Sequence, residues 1–333
     1  MQIRLVFARL CILLLQATIL TTSVSGEVKM EKVAYLNQPN CYRLSNGTVE
    51  VVVTTDIGPR IIRYGFVGGS NVLGEVPDMK VPTELGEWKP WGGHRLWTAP
   101  EAMPRTYCPD NSPVKFEIEG ASTIHLIQLP EAKTGIQKEM IVTLAGSGTA
   151  VKIRHKLTNR NVWAVDLAPW ALTIVHGGGT TILPQEPYRD HNAYLAPARP
   201  LVLWHYTDLS DSRWSIGPKF IRLKTNSSLQ GPLKIGILNK QGWAAYVIQQ
   251  TLFIKRFAFQ EGATYPDYGS NNETYTAADF MEIETLAPMS HLEPDHTAEH
   301  DEQWFLFADV NLGSDEKSIE TALSPLLART AQR

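Results

Sequence analysis

The stretch Thr48-Val-Glu-Val-Val-Val-Thr54 decides the fold class, because its β-branched residues suit a pleated strand better than a helix. A Gly58-Pro59 turn separates it from a second strand-like run, Arg60-Ile-Ile-Arg-Tyr-Gly-Phe66. Working outward, similar short runs recur at 114–119, 123–129, 137–144, 150–157, 162–175 and 201–206. Others follow at 220–224, 234–238, 244–249, 252–259, 280–286 and 304–308, with breakers between them. Spacing of this kind signals a sandwich or barrel. The strands are too many for an immunoglobulin-like domain, so the simplest reading is one all-β domain over 27–333, a large two-sheet antiparallel sandwich. Helix signals are confined to the C-terminus. There Ser314 can cap, Asp315 and Glu316 suit a first turn, and Ile319, Ala322, Leu323, Leu326 and Leu327 share one face.

With 333 residues, 43% of them hydrophobic, the chain has ample core. A formal net charge of -3 gives no electrostatic case for nucleic acid or an anionic membrane surface. Arg4 and Arg9, the apolar run through Leu20 and the small residues Ser23 to Gly26 read as a signal peptide over 1–26. Gln16, Thr18 and Thr21 interrupt that run, so a spanning helix is not expected, and an uncleaved anchor is the alternative. The expected location is secreted or periplasmic. In such a compartment Cys41 and Cys108 could pair, but neither has a cysteine or histidine at metal-ligand spacing.

Several stretches carry chemistry. In Trp91-Gly-Gly-His-Arg-Leu-Trp97, extended geometry sends His94 and Leu96 one way and Arg95 and Trp97 the other. His94 suits acid or base work, and the indoles suit stacking on a sugar ring. The bland alternative is a packed corner with Trp97 in the core and Arg95 paired to a carboxylate. In Phe280-Met-Glu-Ile-Glu-Thr-Leu286 the same alternation puts Glu282 and Glu284 side by side, roughly 7 Å apart. In a cleft, repulsion and desolvation would raise one pKa toward the acid/base range, whereas on an open face they are only a solvated surface. Tyr265-Pro-Asp-Tyr-Gly-Ser-Asn-Asn-Glu-Thr-Tyr275 reads as a long surface loop in which Asp267, Asn271 and Glu273 could bond hydroxyls. His176, beside Gly177-Gly-Gly179, closes an apolar segment where backbone could approach a ligand or simply turn. His296-Thr-Ala-Glu-His300 matches an inverted zinc-peptidase pattern, yet no apolar stripe exists to hold the helix that pattern requires.

The pieces GPRIIRYGFVGGSN, GGHRLWTAPE, RTYCPDN, APWALTIVHGGG, YPDYGSNNETY and MEIETLAPMSHLEP together resemble an exported bacterial domain-of-unknown-function family. That family is similar in turn to the galactose mutarotase-like proteins, a group with aldose 1-epimerases, polysaccharide lyase domains and glycoside hydrolase β-supersandwiches. The resemblance implies a sugar ringed by two histidines and a glutamate. The glutamate is base on the anomeric hydroxyl and a histidine protonates the ring oxygen. Carried over, Gly92-Gly-His94 is similar to the first histidine segment with its order reversed. His176 matches the second, and Ile283-Glu-Thr285 makes Glu284 the base. The turn before the final strand would fall at Pro294-Asp-His296, making HTAEH a hairpin connection. For the sugar-binding Asn-Arg pair only Arg60 offers a counterpart.

These readings predict an exported protein that binds or acts on a mono- or oligosaccharide, with acid/base epimerisation as the implied chemistry. Glu284 would be base, His94 or His176 the acid, and Arg95, Trp97, Arg60, Asp267 and Glu282 the binding residues. Such proton transfers need neither metal nor organic cofactor. A non-catalytic glycan-binding module and a polysaccharide lyase-like enzyme are the alternatives. The sharpest spatial expectation is that His94 and Glu284 open into one cleft.

Overall fold

The structure, a computed structural model, describes residues 27–229, 231–277 and 279–331. The expected leader at 1–26 lies outside the described residues. Two large antiparallel sheets face each other, of eleven and ten strands. The first runs Lys29–Tyr35, Gln38–Ser45, Val49–Thr54, Arg60–Phe66, His94–Ala99, Val165–Val175, Phe280–Leu286, Asn272–Ala277, Leu233–Ile237 and Leu201–Leu203, and Ser290–Leu292 also pairs with Val165–Val175. The second runs Lys115–Glu119, Thr123–Ile127, Ile136–Leu144, Val151–Asn159, Thr297–Phe307, Thr251–Phe257, Trp243–Ile248, Thr180–Pro184, Phe220–Lys224 and Trp214–Ile216.

Alternation along each strand sends one set of side chains between the sheets. Val51, Val53, Ile61, Tyr64, Met281 and Ile283 from the first meet Met140, Val142, Ile153, Phe253 and Trp304 from the second. Trp304 is wholly buried, with its ring centroid 5.4 Å from that of Phe253 and 5.7 Å from that of Tyr64. Burying side chains of this size contributes about 1.5–3 kcal/mol each. The C-terminal helix, Glu316–Thr330, lays Ile319 and Leu323 on a satellite core beside Ile254 and Phe307. Its cap is Asp315 rather than Ser314: the Asp315 carboxylate accepts from the amides of Lys317 and Ser318.

Three readings of the sequence need correction. Residues 271–277 are not an exposed loop, because Asn272–Ala277 is an interior strand of the first sheet. Their polar side chains are spent on neighbouring backbone: Asn271 donates to the Asn239 carbonyl, Asn272 to that of Glu284, and Thr274 to that of Glu282. The second concerns the final strand, which starts at Thr297, so most of HTAEH is strand and no helix forms there. Lastly, Cys41 and Cys108 are both buried as free thiols, with no disulfide between them.

Candidate functional site

On the face of the first sheet turned away from the second, five neighbouring strands project large side chains into one cleft. His94–Ala99 supplies Arg95 and Trp97, which register opposite Leu172 and Trp170 of Val165–Val175. Phe280–Leu286 supplies Glu282 and Glu284, and Asn272–Ala277 sets Tyr275 and Glu273 opposite them. Lys234 of Leu233–Ile237 registers opposite Tyr275. Gly236, two residues on, has no side chain because a Cβ there would lie 2.3 Å from the Ser270 hydroxyl. Trp88, Glu101, Tyr107, Trp204 and Tyr206 close the rim from loops and short strands. The cavity between them measures about 340 Å³, the volume class of a small-ligand pocket.

Its walls are mostly indole and phenol. The Trp97 centroid lies 5.0 Å from Trp88, 4.7 Å from Tyr107 and 5.4 Å from Trp170. Two cations are set into this aromatic wall. The Arg95 guanidinium rests 4.5 Å from the Trp97 centroid, and its Nη2 donates to Glu282 Oε1 at 2.9 Å. The Nε and Nη1 of this buried side chain have no hydrogen-bond partner. Lys234 Nζ sits 4.6 Å from the centroids of both Trp170 and Trp204. It pairs with Glu284 at 2.9 Å and Glu273 at 2.8 Å.

Burial shifts the ionisation of this group. Desolvation drives the Glu273 carboxyl well above its usual range against the pull of Lys234, and raises Glu284 likewise. Burial alone would lower the Lys234 ammonium, but Glu273 and Glu284 together hold it well above the ordinary lysine range. Lys234 therefore stays charged, and burial favours the protonated forms of the two carboxyls that share it. Burial also pushes the Tyr275 phenol up to about 12, so it enters the cleft as a hydrogen-bond donor.

The sequence-predicted residues divide sharply. Arg95, Trp97 and Glu282 line the cavity. Glu284 is wholly buried; its partners Lys234 and Trp170, whose indole nitrogen donates to it at 2.9 Å, are the groups that reach the cavity. Asp267 lies within electrostatic reach of Lys234 and Glu101, on a turn where it and Tyr268 both adopt positive φ. Arg60 is fully buried and structural, donating to the Pro90 carbonyl at 2.6 Å and to Asp110 at 2.7 Å. It pins the corner at which Trp91, Gly92 and Gly93 all take positive φ, where a Cβ on Gly93 would fall 2.1 Å from the Ile61 carbonyl.

The two histidines lie elsewhere. His176 is exposed at the strand end, its Nδ1 bonded to the Gly177 carbonyl, and lines other hollows. His94 points to the opposite face of the sheet from Glu284, wholly buried between the sheets, so the expected shared cleft does not form. The reason is parity: Arg95 and Trp97 take the cleft face, and their neighbour must take the core.

His94 instead belongs to a second polar cluster. His155 Nδ1 bonds the His300 carbonyl at 2.8 Å and so carries the proton, which leaves its Nε2 to accept from His94 Nε2 at 2.7 Å. Thr173 then donates to His94 Nδ1 at 2.8 Å while accepting from Lys255 at 2.9 Å. Lys255 also meets Glu302 at 2.8 Å and the Ile283 carbonyl at 3.1 Å. Thr285 and Trp304 complete the bonding of Glu302. The His94, His155 and Glu302 donor atoms converge closely enough to suggest a metal site. However, two ligands of one zinc ion stand about 3.3 Å apart by tetrahedral geometry, which makes 2.7 Å a hydrogen bond.

Sequence reasoning passed over Lys234, Trp170, Trp204, Trp88, Glu101 and the three tyrosines of the cleft. Lys234 left a trace, a lone cation in the apolar run Leu233-Lys-Ile-Gly-Ile237, where a buried partner is the only tolerable environment.

No family model matches the chain, and no curated protein matches it. Solved structures do. A galactose mutarotase-like protein from Lactobacillus casei aligns over 80% of this chain and 100% of its own, at 9% identity and a TM-score of 0.51. The Slr1438 protein from Synechocystis aligns over 84% and 100%, at 11% identity and 0.51. A TPR-domain containing protein from Parabacteroides distasonis aligns over 83% of this chain at 14% identity and 0.55, and the chain spans about half its length, 49%. The class defined is therefore a galactose mutarotase-like β-supersandwich with a short C-terminal helix. Among the described residues, no helix is long and apolar enough to cross a membrane.

Proposed function

We propose that the chain is an exported protein that binds a saccharide in the aromatic cleft. The observation that carries this reading is the cavity of about 340 Å³ walled by Trp88, Trp97, Trp170 and Trp204, with Glu282, Arg95 and Lys234 as its polar groups. Flat apolar faces beside a few fixed donors and acceptors match a pyranose, which presents a hydrophobic face and a ring of hydroxyls. Saturation-transfer NMR with a panel of pyranoses tests it. Ring protons of at least one sugar should receive magnetisation from the protein, and Trp204→Ala should weaken the effect. A panel with no responding sugar sinks the reading.

One observation favours chemistry as well as binding: the Glu282 carboxylate and the Lys234 ammonium face the same cavity. Glu282 could take the proton of an anomeric hydroxyl while Lys234 gives one to the ring oxygen as its bond to the anomeric carbon breaks, and the reverse transfers on reclosure would give the other anomer. This moves the base from Glu284 to Glu282. Among the described residues lining the cavity there is no histidine, so the mutarotase acid would be replaced by lysine or a phenol. Polarimetry on freshly dissolved α-aldoses should show faster mutarotation, reduced about 100-fold or more in Glu282→Gln. A wild-type rate equal to buffer leaves the binding module as the reading.

A further inference from the structure

The cleft and its floor gather more carboxyl groups than cations. Arg95 is matched by Glu282, and Lys234 by both Glu273 and Glu284. Glu101 stands on the cavity wall, and among the described residues the Tyr107 hydroxyl is its one side-chain partner. Asp267 lies within reach of Lys234 and Glu101, its Oδ2 buried and without a donor. Five carboxyls thus surround two cations. Two of the five, Glu101 and Glu282, line the cavity itself, and the Tyr107 phenol feels both of them.

The wall also shows how this space treats positive charge. Both cations present lie on indole faces, Arg95 against Trp97 and Lys234 between Trp170 and Trp204. The indoles of Trp88, Trp97, Trp170 and Trp204 line the same cavity. A ligand that fits therefore offers a flat apolar ring face to the indoles and positive charge to the carboxylates. A uronic acid meets the first demand and violates the second. A neutral hexose meets only the first. A hexose carrying a free amine meets both.

We propose that the cleft is selective for an amino sugar with a free ammonium group. Its ring stacks on the indoles and its ammonium is held by Glu101 and Glu282. This deepens the saccharide reading and rests on it. The raised carboxyls behind Lys234 add a consequence: a bound cation favours their ionised forms, so binding releases protons.

The tryptophans of the wall make their own fluorescence the readout. The full-length protein is titrated near pH 7 with methyl glucosaminide, its N-acetyl derivative and methyl glucuronide. The free amine should bind about tenfold or more tighter than the N-acetyl compound, as expected for charge-assisted bonds. That ratio should shrink in high salt and in Glu101→Gln. A neutral or acidic glycoside that binds as tightly overturns the ammonium preference and leaves the saccharide reading standing. No response to any of the three overturns both. An amine preference unmoved by salt or by Glu101→Gln overturns the assignment to these carboxylates.

Discussion

Two of the buried lysine–glutamate centres lie on opposite faces of the first sheet, and they are built to different standards. Between the sheets, Lys255 spends its donors on Glu302, Thr173 and Ile283, and every oxygen of Glu302 has a partner. On the cleft side, Glu273 and Glu284 share Lys234, yet the Oε1 of each lacks a hydrogen-bond donor. A closed network fixes how two sheets sit together. An open one leaves buried acceptors unpaired directly behind a cleft wall that Lys234 and Trp170 form.

The comparison can be broken most severely at its closed side. Lys255→Met strands the Glu302 carboxylate in a dry interior and should cost about 3–5 kcal/mol in chemical denaturation. Acid should act on the same side. Burial pushes His94 and His155 below their ordinary pKa and His300 down to about 3, so the unfolded chain binds protons that the folded chain refuses. Stability is then complete above about pH 6.5 and lost as pH falls toward the folded values. The loss is about 1 kcal/mol between pH 6.5 and 5.5 for each of His94 and His300, or about 2 kcal/mol for the two, and His155 adds to it in the same direction. A denaturation midpoint flat across that interval contradicts neutral histidines. Lys234→Met should cost less, about 1–2 kcal/mol, because Glu273 and Glu284 can take protons when their cation is gone. A loss as large as that of Lys255→Met would make the two centres equivalent.

Much of this was legible in the sequence. Alternation in Phe280–Leu286 correctly put Glu282 and Glu284 on one face, and alternation in His94–Ala99 correctly split His94 from Arg95. What parity within a strand does not encode is which face becomes the cleft. That depends on how strands register, here Leu172 against Arg95 on one side and Glu284 on the other. The polar run 271–277 misled for a related reason. Its amides and hydroxyls satisfy distant backbone, so a segment composed like a loop is mostly buried. Lys234 and Glu273 meet only through the pairing of their strands, and the rim aromatics come from segments far apart in the chain.

Both sheets place late-made strands at their centres. Phe280–Leu286 joins Val165–Val175 to Asn272–Ala277, and Thr297–Phe307 joins Val151–Asn159 to Thr251–Phe257. The bond from His155 to His300 closes a separation of 145 residues. A growing chain that has reached only residue 279 therefore consists of half-sheets with open edges, each able to pair with the wrong neighbour. Folding must wait for these two strands and proceed through long-range closure, which is slow. Until residues 280–307 have been made, the earlier strands keep edges that are open to mispairing.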